Sequence, residues 1–244
     1  MKVSVVIPAL NEEETVAGVV EACLASRAEE VLVIDSDSTD ATAQAAREAG
    51  ARVLNWRKIA PDVETRPGKG EALWRGVYAA SGDVVVFVDA DVTSLRGEWI
   101  DALAAPVAEG AHLVKASYSR GFKGRATGGG RVTELTAKPL IRQLFPALGH
   151  IDQPLAGEYA IRRDTALRLP FVAGYGVEAG LLVDVAERFG PGAVAQVELG
   201  VRVHRNRPLD QLAPMADVVA HTLLSRAGYA RAVEQRPAWH RDTI

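Results

Sequence analysis

Asp89-Ala90-Asp91 directly follows the apolar run Val84-Val85-Val86-Phe87-Val88. Side chains at i and i+2 of an extended chain point the same way, so both carboxylates are expected to leave the sheet together. Two hard oxygen ligands on one side suit Mg²⁺, with Mn²⁺ as the alternative, and such ions also accept phosphate oxygens. A cation held there would neutralise charge building on a departing phosphate group. A D-x-D triplet alone carries little information. Its weight comes from its place after a buried strand, with other acidic strand ends in the chain.

Further residues have the right chemistry to join it. His204, within Val201-Arg202-Val203-His204-Arg205-Asn206-Arg207, is a candidate second metal ligand through a neutral imidazole, and the arginines around it suit a small anion. Lys69, between Gly68 and Gly70, opens a helix, so that cation and helix dipole suit a phosphate or a carbonyl. Gly128-Gly129-Gly130-Arg131-Val132-Thr133-Glu134 is a glycine-rich entry into a helix whose amides, Arg131 guanidinium and Thr133 hydroxyl suit an acceptor phosphate. It lacks the G-K-[ST] ending of a P-loop. Glu178, at the start of another helix after Gly174-Tyr175-Gly176, suits acceptor hydroxyls or proton removal.

The elements needed to position these groups are legible. β-branched runs predict buried parallel strands at 3–7, 31–34 and 84–88, with a short one at 52–54. Helices are expected between them. One is capped by Asn11 with Glu14 three residues on, and carries Val16, Val19, Val20, Cys23 and Leu24 on its apolar stripe. Others are expected from about 41 to Gly50 and over 69–80. This alternation predicts an α/β fold with a doubly wound, mainly parallel sheet, whose ligands sit beyond the carboxyl ends of its strands. Asn11-Glu12, Asp35 to Asp37 and Asp89-Ala90-Asp91 all follow such ends. The second half reads as strands at 113–117, 159–162 and 194–203, helices at 132–144, 176–189 and 209–226, and a mobile loop at 120–130. Trp56, Trp74 and Trp99 are expected to pack in or against the core. The simplest organisation is a single domain over 1–229, with 1–117 and 118–229 as its two parts, followed by a loosely ordered tail at 230–244.

Composition narrows the partners. The chain has 244 residues, 24 % of them charged, with a net charge of −3, which gives no reason to expect nucleic acid or an anionic membrane surface. No apolar run reaches the roughly 18 residues of a membrane span. The N-terminal run reads as a strand, not a signal peptide. One cysteine, Cys23, cannot form an internal disulfide, so a cytoplasmic setting is expected.

Val6-Ile7-Pro8-Ala9-Leu10-Asn11-Glu12 resembles the opening of GT-A glycosyltransferases. Asp35-Ser36-Asp37-Ser38-Thr39-Asp40, Pro67-Gly68-Lys69-Gly70, residues 128–135, Gln153-Pro154-Leu155-Ala156-Gly157-Glu158-Tyr159, residues 174–178 and residues 204–209 narrow the likeness to the glucosyl-3-phosphoglycerate synthase family, which retains anomeric configuration. The resemblance covers about residues 3–228. It implies a GT-A fold, transfer of glucose from UDP-glucose to 3-phosphoglycerate with Mg²⁺ or Mn²⁺, and a homodimer. By the same resemblance, Pro8, Ala9, Leu10, Glu12 and Ser36 line the uridine and ribose pocket, with Lys69 near the uracil. Asp91 and His204 hold the metal, and Asp89 and Ala90 meet the sugar nucleotide. Gly130, Arg131, Thr133 and Asn206 hold the acceptor phosphate, while Tyr175 and Glu178 face sugar and acceptor. Asp89, Asp91 and Glu178 thus form the expected catalytic set. The family's middle motif residue is often Ser where Ala90 stands here.

Alternatives remain at this stage. A GDP-mannose donor with the same acceptor differs by pocket contacts worth about 1–3 kcal/mol, which spacing does not reveal. A lipid-phosphate acceptor is disfavoured by the lack of an apolar span. A nucleotidyltransferase would carry G-x-G-T-R after its first strand, and a dehydrogenase G-x-G-x-x-G; this chain has Pro8-Ala9-Leu10-Asn11. A nucleotide-sugar binder without turnover would keep the same pocket.

Overall fold

The computed structural model describes residues 1–120, 130–202 and 209–240. The elements follow in the order β1 (Val3–Ala9), α1 (Val16–Leu24), β2 (Glu30–Asp35), α2 (Thr42–Glu48), β3 (Arg52–Asn55), α3 (Lys69–Ala79), β4 (Val84–Phe87), α4 (Gly97–Ala108) and β5 (Leu113–Arg120). Then come a π-helical turn (Thr133–Ala137), α5 (Lys138–Leu144), β6 (Tyr159–Arg162), α6 (Arg163–Ala166), β7 (Phe171–Val172), α7 (Val177–Phe189), β8 (Val194–Arg202), α8 (Leu209–Arg226) and β9 (Gln235–Arg236).

Seven strands form one sheet in the order β3-β2-β1-β4-β6-β5-β8. β1 pairs in parallel with β2 and β4, β2 with β3, and β5 with β8; β6 runs antiparallel to both its neighbours. The expected mainly parallel α/β sheet is therefore present. Each strand feeds both faces, because alternate residues point to opposite sides. Val85 and Phe87 join the core under α3 and α7, whereas Val84, Val86 and Val88 join the core under α1 and α4. Fully buried side chains of this size stabilise the fold by about 1.5–3 kcal/mol each before chain entropy is counted.

Several local expectations change. Asn11 does not cap α1, which begins at Val16 without a side-chain cap bond. Asn11 instead takes a left-handed backbone (φ 56°), and its Oδ1 accepts from the Thr39 amide at 2.9 Å, tying the loop after β1 to the loop after β2. Asp37, also left-handed, binds Arg57 at 2.6 Å and Asn55 at 2.9 Å. The acidic residues after β2 thus lace loops together. α4 was not among the expected elements: Arg96 offers it no side-chain cap and Pro106 lies inside it, so neither end signals a helix.

The described part of the tail, up to residue 240, also differs from the expectation of loose order. β9 pairs with β7, Arg236 binds buried Glu71 at 2.5 Å, and Trp239 stacks on Trp74 with ring centroids 3.6 Å apart. Its charges and Pro237 suggest disorder only until their partners on α3 are known. Trp56, Trp74 and Trp99 are buried as expected, as is Cys23. No described helix is long and apolar enough to cross a membrane.

Candidate active site

The strand order reverses between β1 and β4, and a crevice must open beyond their carboxyl ends. A cavity of about 430 Å³ lies there. The end of β1 contributes Pro8, Ala9, Leu10 and Glu12 to its wall, and the end of β2 contributes Ser36. Asp89, Ala90 and Asp91 follow from β4, and Lys69 from the first residue of α3. The lining also includes Gly130 and Arg131, just before the π-helical turn, and Thr133 at its first residue. Tyr175 and Glu178 enter at the start of α7. Asp35 and Asp37 do not line the cavity, so not every acidic strand end belongs to the site. His204 and Asn206 lie outside the described residues, as do Gly128 and Gly129.

The floor is a chain of ion pairs. Lys69 Nζ lies 2.5 Å from Asp89 Oδ1 and 2.6 Å from Glu178 Oε1, so this lysine joins α3, β4 and α7 instead of reaching freely into the nucleoside end. Burial opposes its charge, but Asp89 and Glu178 together hold its pKa well above the usual lysine value. On the far side of Asp89, Arg202 Nη2 stands 3.1 Å from Asp89 Oδ2 and 2.9 Å from Glu158 Oε1. Burial opposes the Arg202 charge too, and Glu158, Tyr118 and Asp89 outweigh it. Near-contact geometry makes room for this carboxylate: a Cβ on Gly157 would overlap Asp89 Oδ2. A Cβ on Gly70 would likewise overlap the Val172 carbonyl, so glycine there lets α3 press against the segment leading to Tyr175.

Asp91 is half-buried on the cavity wall. Burial raises its pKa, and the neighbouring Asp89 carboxylate raises it further. A hard divalent cation would relieve both effects, so this carboxylate fits a metal ligand. Among the described residues no group of three or more His, Cys, Asp or Glu could hold a metal.

Several residues of the site escaped the sequence reading. Arg202 stood out only as one of a basic group suited to an anion, yet its guanidinium faces Asp89 and Glu158. Glu158 and Gly157 appeared only within a motif. Tyr118 lines the cavity with the Arg202 guanidinium 5.7 Å from its ring centroid, and Lys115 is buried in the same strand. A charged residue inside an otherwise apolar strand was the available signal for Lys115.

Comparisons with known proteins agree with this architecture. The glycosyl transferase family 2 model matches residues 4–167. The glucosyl-3-phosphoglycerate synthase of Mycobacterium tuberculosis is 49 % identical over 238 residues, which cover 93 % of this chain and 74 % of that protein. A crystal structure of the M. tuberculosis enzyme with Mn²⁺, UDP-glucose and phosphoglyceric acid superposes with a TM-score of 0.89 at 44 % identity, covering 98 % of this chain and 90 % of the other. Another, with Mg²⁺ and UDP, gives a TM-score of 0.90 at 44 % identity, with 97 % and 90 % covered. With the strand order, the crevice and these likenesses in hand, the chain belongs to the glucosyl-3-phosphoglycerate synthase family within glycosyl transferase family 2.

Proposed function

We propose that this chain transfers the glucosyl group of UDP-glucose to 3-phosphoglycerate with retention, giving glucosyl-3-phosphoglycerate and UDP. The observation that carries the reading is the meeting of two differently built walls in one cavity. One has the strand-end residues Pro8 to Glu12 and Ser36, and the other has Arg131 and Thr133 at a helix start. The first suits a nucleoside. The second suits a small phosphate, through a guanidinium, a hydroxyl and backbone amides. Of the two M. tuberculosis structures described above, one holds this pair of ligand classes with Mn²⁺ and the other holds UDP with Mg²⁺. In this chain Asp91 would hold Mg²⁺ or Mn²⁺ together with His204, and the ion would offset the diphosphate's negative charge.

The chain's own residues then have separate tasks. Lys69 locks Asp89 and Glu178 into one rigid acidic edge that can accept sugar hydroxyls in a set orientation. Leu212, Met215 and Val219 of α8 give the cavity an apolar side that limits water. Arg131 and Thr133 bring the acceptor's hydroxyl to the donor. Asp89 and Glu178 are both ion-paired, which blunts them as nucleophiles. That favours attack on the same face as departure. The acceptor oxygen bonds to the anomeric carbon, the bond to the UDP oxygen breaks, and that oxygen takes the acceptor's proton. A glycosylated side chain trapped and seen by mass spectrometry would reject this route.

The test is UDP release from purified protein supplied with UDP- and GDP-sugars, with and without 3-phosphoglycerate, before and after chelation. We expect turnover with UDP-glucose and 3-phosphoglycerate together, lost on chelation. Equal turnover with GDP-mannose, or UDP release indifferent to the acceptor, would reject the assignment. A homodimer and a cytoplasmic setting complete the proposal. The dimer rests on the family resemblance, and light scattering on the purified protein reads it directly.

A further inference from the structure

Lys115 is 1 % exposed and sits in β5 among core residues. Leu113, two positions earlier on the same face, is an ordinary core leucine. A buried lysine is costly, and an apolar side chain of similar length would fill the space at lower cost. Its contacts lead to the transfer site. Lys115 is the register partner of Tyr159 on β6, and Tyr159 is in turn the partner of Phe87 on β4. Asp89 lies two residues beyond Phe87, at the cavity. Lys115 Nζ stands 4.3 Å from the Tyr159 ring centroid and donates to the Ala156 carbonyl at 2.7 Å. Ala156 precedes Gly157, where even a Cβ would overlap the Asp89 carboxylate. Burial pushes the Lys115 ammonium down to about 7, and Glu178 is the charge that most opposes this.

We propose that Lys115 is a positioning residue of the transfer site, tethering the Ala156–Gly157 backbone from beneath so that Asp89 keeps its place between Lys69 and Arg202. This role rests on the function proposed above and adds to it a residue that touches neither substrate.

Lys115→Met tests it in the full-length protein, because methionine keeps an unbranched chain only one atom shorter and removes the charge and the hydrogen bond. The expected result is an unchanged or higher Tm with kcat lowered about tenfold to a hundredfold, the scale of a misplacement of about 1 Å. The KM for 3-phosphoglycerate should stay within about twofold of wild type, because the Arg131 wall is untouched. A folded variant with wild-type kcat overturns the proposal. So does a variant, folded in part, whose activity per folded molecule equals that of wild type. If Lys115→Met does not fold, Lys115→Ala is assayed with and without added propylamine: recovery of kcat supports the tether, and no recovery rejects it. Wild-type protein that releases no UDP with this substrate pair rejects the functional reading and this role with it. Active wild type beside an unaltered variant rejects the role alone.

Discussion

Gly157→Ala isolates how far turnover depends on the position of Asp89. Residue 157 is not among the left-handed glycines, so alanine there carries no backbone strain. The added Cβ would overlap Asp89 Oδ2 and stand 2.6 Å from Oδ1, where real Cβ atoms keep at least 3.0 Å. The carboxylate must therefore retreat by 0.4 Å or more to clear Oδ1, and further to clear Oδ2. It is held on both sides, by Lys69 at 2.5 Å and by Arg202 at 3.1 Å. Moving it weakens two hydrogen bonds between charged groups, each worth about 1.5–3 kcal/mol. A loss of about 2–3 kcal/mol lowers Tm by roughly 4–12 °C in a chain of this size. At a temperature where the variant is still folded by circular dichroism, UDP release should fall about tenfold to a hundredfold. Wild-type turnover in a folded Gly157→Ala variant would refute the argument, because the carboxylate cannot both move and matter.

Asp91→Asn should abolish metal-stimulated turnover while raising Tm slightly in metal-free buffer. The sign follows from the raised pKa: a carboxylate whose folded pKa is raised costs stability as pH climbs through it, so at neutral pH the neutral amide relieves that cost. A scan of Tm against Mg²⁺ checks both halves, and a variant still stabilised by Mg²⁺ like wild type counts against the ligand assignment. Arg131→Ala should raise the KM for 3-phosphoglycerate far more than that for UDP-glucose; equal effects in initial-rate kinetics would place Arg131 elsewhere. Trp239→Ala removes a ring stacked on Trp74 and Tyr78 and should cost about 2 kcal/mol, roughly 4–8 °C in Tm, with kcat at low temperature nearly unchanged. Unchanged thermal unfolding would show that the tail is not bound in solution.

The strands and most helices were legible because burial on both faces writes itself as β-branched runs, and a half-buried helix as an apolar stripe. α8 matches its expected span, as does β6. The cavity walls were legible for a different reason: strand ends in a parallel sheet have a known direction, so Pro8 to Glu12, Ser36 and Asp89 to Asp91 had to share one edge. Pairing across the chain was not legible. Arg202 is separated from Asp89 by 113 residues, and Glu178 from Lys69 by 109. Nothing local distinguishes an arginine that binds a phosphate from one that binds a buried carboxylate. The same blindness hid the tail, whose Arg236 and Trp239 look solvated until Glu71 and Trp74 are seen to receive them. Asn11 misled for a local reason, since a capping residue and a loop-lacing residue are the same residue type.

The ion pairs of the floor also bear on why a metal is needed. A diphosphate brings negative charge to the sheet edge, and a lysine with an arginine nearby would ordinarily be enough to meet it. Here Lys69 is already bound by Asp89 and Glu178, and Arg202 by Asp89 and Glu158. Each cation joins elements far apart in sequence, so its charge serves to assemble the floor and is balanced before any substrate arrives. Arg131 also lines the cavity, and it is the residue proposed for the acceptor phosphate. Among the described residues, then, the donor end offers carboxylates and neutralised cations. Asp91 adds one more negative charge there, against its own desolvation. Among the described residues, such an edge gives a diphosphate little free positive charge to meet. A divalent ion at Asp91 would offset that charge, and a variant that frees Lys69 or Arg202 from its carboxylates should then depend on the ion less.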